Sequence, residues 1–126
     1  MNFEYSEKSL GLQKQVADFM DTNIYPQEAL HRNFVDNNLW QHYPELETLK
    51  QKAKAAGLWN LFLPKSYGDF SPGLSNLEYA PLAELMGRVL WSSEVFNCSA
   101  PDTGNMEVLA KFGNKAQQEK WLAPLM

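Results

Sequence analysis

At 126 residues, with 44% hydrophobic and 13% aromatic residues, the chain has the apolar mass for one domain around one core and lacks a disordered composition. Its formal charge of -4 offers no basic stripe to phosphates, which excludes a nucleic-acid surface, and no apolar run approaches the roughly 20 residues of a membrane helix. Cys98 has no second cysteine to pair with, and the stretch from Met1 to Leu10 has neither a basic nor an apolar leader region, so a reducing, cytoplasmic setting is expected.

The chain reads as helices punctuated by Pro and Gly, with no internal repeat and no low-complexity segment. Ser6 is the expected N-cap of the first helix, with Tyr5 and Leu10 at hydrophobic-staple positions. Leu10, Val16, Phe19, Met20 and Ile24 then recur at near-helical spacing, and Pro26 is expected to stop the helix. The segment from Gln27 to Tyr43 is less decided and predicts a short helical piece. Pro44 opens another helix with Leu46, Leu49, Ala53 and Ala56 on one stripe, lysines in its last turns and Gly57 as a left-handed cap.

Leu58 to Pro64 is apolar and of strand-like length, but Pro64 and the turn-rich residues after it predict a buried connector. Ser75 and Glu78 form a capping box, with Leu74 and Tyr79 at staple positions, and open a helix carrying Leu77, Ala80 and Leu85 as far as Gly87. Pro81 predicts a kink or a late start there. Ser92 and Ser93 offer another cap. Asp102 or Thr103 is expected to cap a helix that buries Met106, Leu109 and Phe112 and ends at Gly113. Asn114 and Gln117 form a last capping box, for a helix carrying Trp121, Leu122 and Leu125. No period-two alternation demands a sheet. The fold expected is an all-α bundle of about five or six helices, orthogonal or up-down.

Few residues carry chemistry on their own. His31 and His42 are too far apart to share a helix turn, and no metal-binding motif occurs, so no metal site is expected. Cys98 has no assignable histidine partner and reads as a small buried residue. No glycine-rich phosphate loop is present. Glu84 and Arg88, spaced i, i+4, read as a structural ion pair. Asp102 or Thr103 accounts for a helix cap, but Gly104 and Asn105 remain unexplained by capping. A glycine in a first helical turn costs about 0.5–1 kcal/mol against alanine, and close approach of another group to that backbone would justify it.

Several of these residues fall into one ordered series. Gly57-Leu58-Trp59, Phe62-Leu63-Pro64 and Tyr67-Gly68 are followed by the run from Gly73 to Ala80 and by Glu84-Leu85-Met86-Gly87. The run from Val95 to Glu107 comes next, and Gln117 to Leu122 with Pro124-Leu125 closes the series. The chain resembles the N-terminal α-helical domain of the acyl-CoA dehydrogenases over nearly its whole length. Asn97-Cys98-Ser99-Ala100-Pro101-Asp102-Thr103-Gly104-Asn105-Met106-Glu107 is the specific signal, and it points to the branch that in some eukaryotes is fused to a kinase-like phosphotransferase domain.

The resemblance implies an FAD-dependent dehydrogenation of an acyl-CoA thioester, with electrons passed on to an electron-transfer flavoprotein and the enzyme a homo-oligomer. It also implies that a middle β-domain and a C-terminal helical domain hold the flavin and supply the catalytic base. No residue among the 126 inherits that base, and the chain alone is expected to be inactive, to bind FAD weakly or not at all, and to expose apolar faces prone to self-association. What the resemblance assigns here is the distal wall of the acyl pocket, at Phe96, Ala100, Thr103 and Gly104. A stand-alone helical module that binds an acyl group or a protein without catalysis is the rival reading. Related flavin oxidases and monooxygenases are a third.

Overall fold

The structure is a computed structural model that describes residues 4–126; the first three residues of the leader reading lie outside the described residues. Helix α1 (Glu7–Phe19) starts at Ser6, whose hydroxyl accepts from the Ser9 backbone N–H. Tyr5 and Leu10, the expected staple pair, are both exposed. The end is held from outside, because Ser6 Oγ donates to Glu78 Oε1 at 2.6 Å and Ser9 Oγ to the Glu78 carbonyl at 3.0 Å.

Pro26 does not stop the helix. The chain winds on through a wide π-turn (Met20–Ile24) and a tight 3-10 turn (Tyr25–Gln27) into α2 (Glu28–Asn37). Widening and then tightening the coil moves the missing proline N–H to a place where no α-helical bond is required, and Met20 and Ile24 stay buried throughout.

Helix α3 (Leu46–Ala55) buries Leu46, Leu49 and Ala53, and Gly57 follows with φ +71°. Ala56 falls outside the helix and is exposed. Leu58 to Pro64 is the expected connector, with Leu58, Leu61, Phe62 and Leu63 buried. Its only ladder-like contact among the described residues is an isolated parallel bridge between Pro64 and Leu74. A 3-10 stretch (Lys65–Phe70) leads to α4 (Asn76–Met86).

The capping box is present at α4 in full: the Glu78 N–H donates to Ser75 Oγ, and the Ser75 N–H donates to the Glu78 carboxylate. The helix runs unbroken through Pro81, so it has no late start. Its buried side is Pro81, Leu82 and Met86; Leu77 and Ala80 face out. The hydrogen bonds of α1 to Glu78 settle that rotation, since a helix presents the same face at 78 and 82.

Ser92 lies inside the short α5 (Ser92–Val95), and its hydroxyl donates back to the Met86 carbonyl rather than capping its own helix. Helix α6 (Asp102–Phe112) has Pro101, after a cis peptide bond, at its N-cap and no side-chain cap. Asp102 and Thr103 are therefore first-turn residues and not caps. Met106 is buried, Leu109 half-buried, and Phe112 exposed. Gly113 does end the helix, with an extended backbone, and a Cβ there would meet the Leu109 carbonyl oxygen at 2.5 Å. The last capping box opens α7 (Lys115–Gln117), which continues through a π-turn (Gln118–Leu122) into α8 (Ala123–Leu125). Of this helix only Leu122 is buried; Trp121 is exposed.

Two clusters make the interior. The larger joins α1, the π-turn, α3, α4 and α5 around Phe19 and Phe96, whose rings meet edge-on at 5.2 Å. The smaller holds Phe62, Leu63, Met106 and Leu122 and carries α6 and the C-terminal helix. This is the all-α architecture expected, with helices of ten residues or more at α1, α2, α3, α4 and α6.

Glu78 ties the two N-termini together. Hydrogen bonds from Ser6 first, then from the Ser75 backbone and side chain, hold its carboxyl at about 2, down from 4.5. A depressed folded value means the stabilisation is whole above about pH 4.5 and is lost as the pH falls towards 2. Glu78→Gln should therefore lower stability at neutral pH and flatten the acid limb of the unfolding profile in that window. Superimposable acid profiles for variant and wild type, followed by circular dichroism, would refute it.

Candidate functional site: the segment from Phe96 to Glu107

The four candidate wall residues do not share one surface. Phe96 is fully buried in the larger cluster, against Phe19. Thr103 lines a cavity of about 370 Å³ with Phe62, Pro64, Asn76, Tyr79, Cys98 and Glu107. Ala100 lies on the other side of the segment, by a polar hollow of about 160 Å³ with Lys50, Glu94, Asn97 and Asp102. Gly104 is exposed between them in the first turn of α6, and a Cβ built on it would meet nothing within 4 Å. Within this chain, then, no other group approaches that glycine. The space above it is open.

The chemistry beside Thr103 is quiet. Burial pushes the Cys98 thiol up to about 11, against hydrogen bonds from Tyr79 and from the backbone N–H groups of Phe62 and Leu61. A thiol so poised is not a nucleophile at neutral pH. Burial, and after it the neighbouring Cys98, raises the Tyr79 phenol too. On the Ala100 side, Lys50 sits 3.0 Å from Glu94 and 3.1 Å from Glu47. Burial pulls its pKa down, but the hydrogen bonds and charges of the two carboxylates outweigh it and leave the ammonium favoured. A third surface is apolar: Val108, Leu109, Trp121, Pro124 and Leu125 line a groove of about 650 Å³ between α6 and the C-terminal helix.

The histidines take no part. His31 stacks on Trp91 with ring centroids 4.4 Å apart and lies edge-on to Tyr43, and His42 is exposed. Burial lowers the His31 pKa, with Glu94 opposing it. Among the described residues no three His, Cys, Asp or Glu side chains converge to hold a metal ion, and no helix is long and apolar enough to cross a membrane. Glu84 and Arg88 form the expected exposed pair, at 3.9 Å.

Residues 6–126 match the family model for the acyl-CoA dehydrogenase N-terminal domain. The chain belongs to the acyl-CoA dehydrogenase family. Among curated relatives it is 49% identical to mouse acyl-CoA dehydrogenase family member 10, over 91% of this chain and 11% of that protein. It is 42% identical to the probable acyl-CoA dehydrogenase FadE2 of Mycobacterium tuberculosis, over 100% of this chain and 31% of that one. A solved structure from Mycobacterium abscessus described as an acyl-CoA dehydrogenase superposes with a TM-score of 0.85 at 48% identity, covering 97% of this chain and 32% of the other. The chain thus spans about a third or less of the length of these relatives. The all-α fold and the N-terminal place in the family agree with the sequence reading.

Sequence reasoning missed the surroundings of Thr103. Tyr79 and Cys98 are 19 positions apart in the chain and meet only through the packing of α4 against the segment. No spacing rule could have paired them. Replacing Phe96 with alanine should cost about 3–5 kcal/mol in urea unfolding, the price of a fully buried ring. A loss below about 1 kcal/mol would mean the ring is not a core element.

Proposed function

We propose that this chain is the N-terminal domain of an FAD-dependent acyl-CoA dehydrogenase, and that it forms the distal wall of the acyl pocket without being catalytic by itself. Thr103 and Gly104 present the wall, Phe96 backs it from the core, and Ala100, on the other side of the segment, bounds it from behind. The single observation that carries this reading is the open space at Gly104, next to the partly apolar cavity of Thr103. Small side chains with free volume in front of them suit the end of an alkyl chain.

FAD enters from the family, and in the complete enzyme it would supply the hydride-accepting chemistry. The described residues do not suit its pyrophosphate: the Glu78 carboxylate occupies the N-terminus of α4, and Asp102 lies in the first turn of α6. The flavin is therefore assigned to other domains, as is the catalytic base. An electron-transfer flavoprotein as electron acceptor, a homo-oligomeric enzyme and a cytoplasmic location complete the reading. The apolar groove at Val108 and Trp121 favours one rival, a helical module that binds an acyl group or a protein without chemistry.

The test is the full-length protein. It should purify yellow, and an acyl-CoA should bleach the flavin under anaerobic conditions; a colourless protein that binds acyl groups would favour the module. Gly104→Leu should fold normally, since this chain places nothing against the new side chain. It should lower kcat/KM for the longest acyl chains accepted by roughly tenfold, about what one or two excluded methylenes are worth, and spare the shorter ones. An unchanged chain-length preference would remove Gly104 from the pocket.

A further inference from the structure

Asn60 and Asn97 both hold the left-handed backbone, with φ of 58° and 54°. Asparagine tolerates that region better than most side chains do, yet it is uncommon outside glycine. Their amides interlock. Asn97 Nδ2 donates to Asn60 Oδ1 at 2.6 Å and to the Leu125 carbonyl at 2.8 Å. Asn60 Nδ2 donates to the Met126 oxygen at 2.9 Å, where the Trp59 indole N–H also donates. The Asn60 backbone N–H donates to the Phe96 carbonyl at 3.1 Å.

Three segments remote in sequence are pinned at this one place: the buried connector, the candidate wall and the C-terminal helix. Asn60 is buried, so its amide has no water to fall back on if a partner is lost. Asn97 stands between Phe96, which is anchored in the core, and Ala100 to Gly104, which are not. Apart from the Asn97 clamp, that stretch keeps backbone bonds such as Cys98 N–H to Ser93 at 2.9 Å and Thr103 N–H to Ser99 at 3.2 Å.

We propose that Asn97 is a positioning residue for acyl discrimination: its amide, paired with Asn60, fixes the segment from Cys98 to Gly104 against the C-terminal helix and so sets the depth of the acyl pocket. This role rests on the acyl-wall reading above. It touches no reacting atom, and its loss should blur chain-length selectivity without slowing the chemistry.

Asn97→Gly separates the two contributions of the residue, because glycine adopts the left-handed backbone freely and lacks only the amide. In the full-length flavoenzyme, hydrogen exchange at the hydrogen-bonded amides of Cys98 and Thr103 should speed up roughly tenfold, within the range expected when the two amide hydrogen bonds of Asn97 are lost. The ratio of kcat/KM between long and short acyl-CoA substrates should fall by a similar factor, with flavin content and kcat on the preferred substrate retained. Should Asn97→Gly fail to fold, Asn60→Gly keeps the left-handed backbone at 60, removes the acceptor for Asn97 while leaving Asn97 its bond to the Leu125 carbonyl, and should move both readouts the same way by less. Unchanged exchange would overturn the clamp. Faster exchange with an unchanged length ratio would leave a purely structural clamp and overturn the role in selectivity. A wild-type protein that no acyl-CoA reduces would instead bring down the acyl-CoA reading itself, and this role with it.

Discussion

A buried stretch of chain that is not helical has to find partners for its backbone outside itself. The connector from Leu58 to Pro64 is such a stretch, and much of the packing follows from how it is satisfied. The Leu58 N–H donates to Ala53, the Asn60 N–H to Phe96, and the Lys65 N–H to Leu74. The Leu63 carbonyl accepts from Ser71 Oγ at 2.7 Å. Its side chains divide as well: Leu58 and Leu61 enter the larger cluster, Phe62 and Leu63 the smaller. One irregular segment thus holds the two halves of the interior together.

Helix positions are set by polar side chains that bond to backbone rather than by charge pairs. Ser9 reaches the Glu78 carbonyl and Ser92 the Met86 carbonyl, and both serines are wholly buried. Among the described residues no buried side-chain nitrogen or oxygen lacks a partner. Ion pairs such as Glu84–Arg88 and Lys115–Glu119 are exposed and long, and pairs of that kind contribute about 0–1 kcal/mol. Removing a pinned serine or asparagine leaves a dry carbonyl or amide behind, which is the costlier event.

The same logic places the candidate wall. Its core end, Phe96, is held by dispersion and burial, whereas its outer end, Ala100 to Gly104, is held by hydrogen bonds and leaves free space in front of it. The two outward sides differ in character: Lys50 and Glu94 charge the Ala100 side, while the Thr103 side mixes Phe62, Pro64 and Tyr79 with the polar Asn76 and Glu107.

The sequence by itself determined whatever a few neighbouring residues decide. The capping boxes at Ser75 and Asn114, the N-cap at Ser6, the left-handed Gly57 and the helix end at Gly113 are satisfied within about four residues. The long motif around Asn97 placed the chain in its family. Tertiary structure decided the rest. Pro26 is passed without a break, and α4 turns Leu82 inward and Leu77 outward. Phe112 stays in solvent, and Pro101 rather than Asp102 precedes the first turn of α6. The rotation of α4 depends on partners many positions away, Ser6 and Ser9, which bond to Glu78. Periodicity shows that a helix has an apolar stripe, but where several apolar residues compete for the inside, only the neighbour that arrives in three dimensions selects which of them are buried.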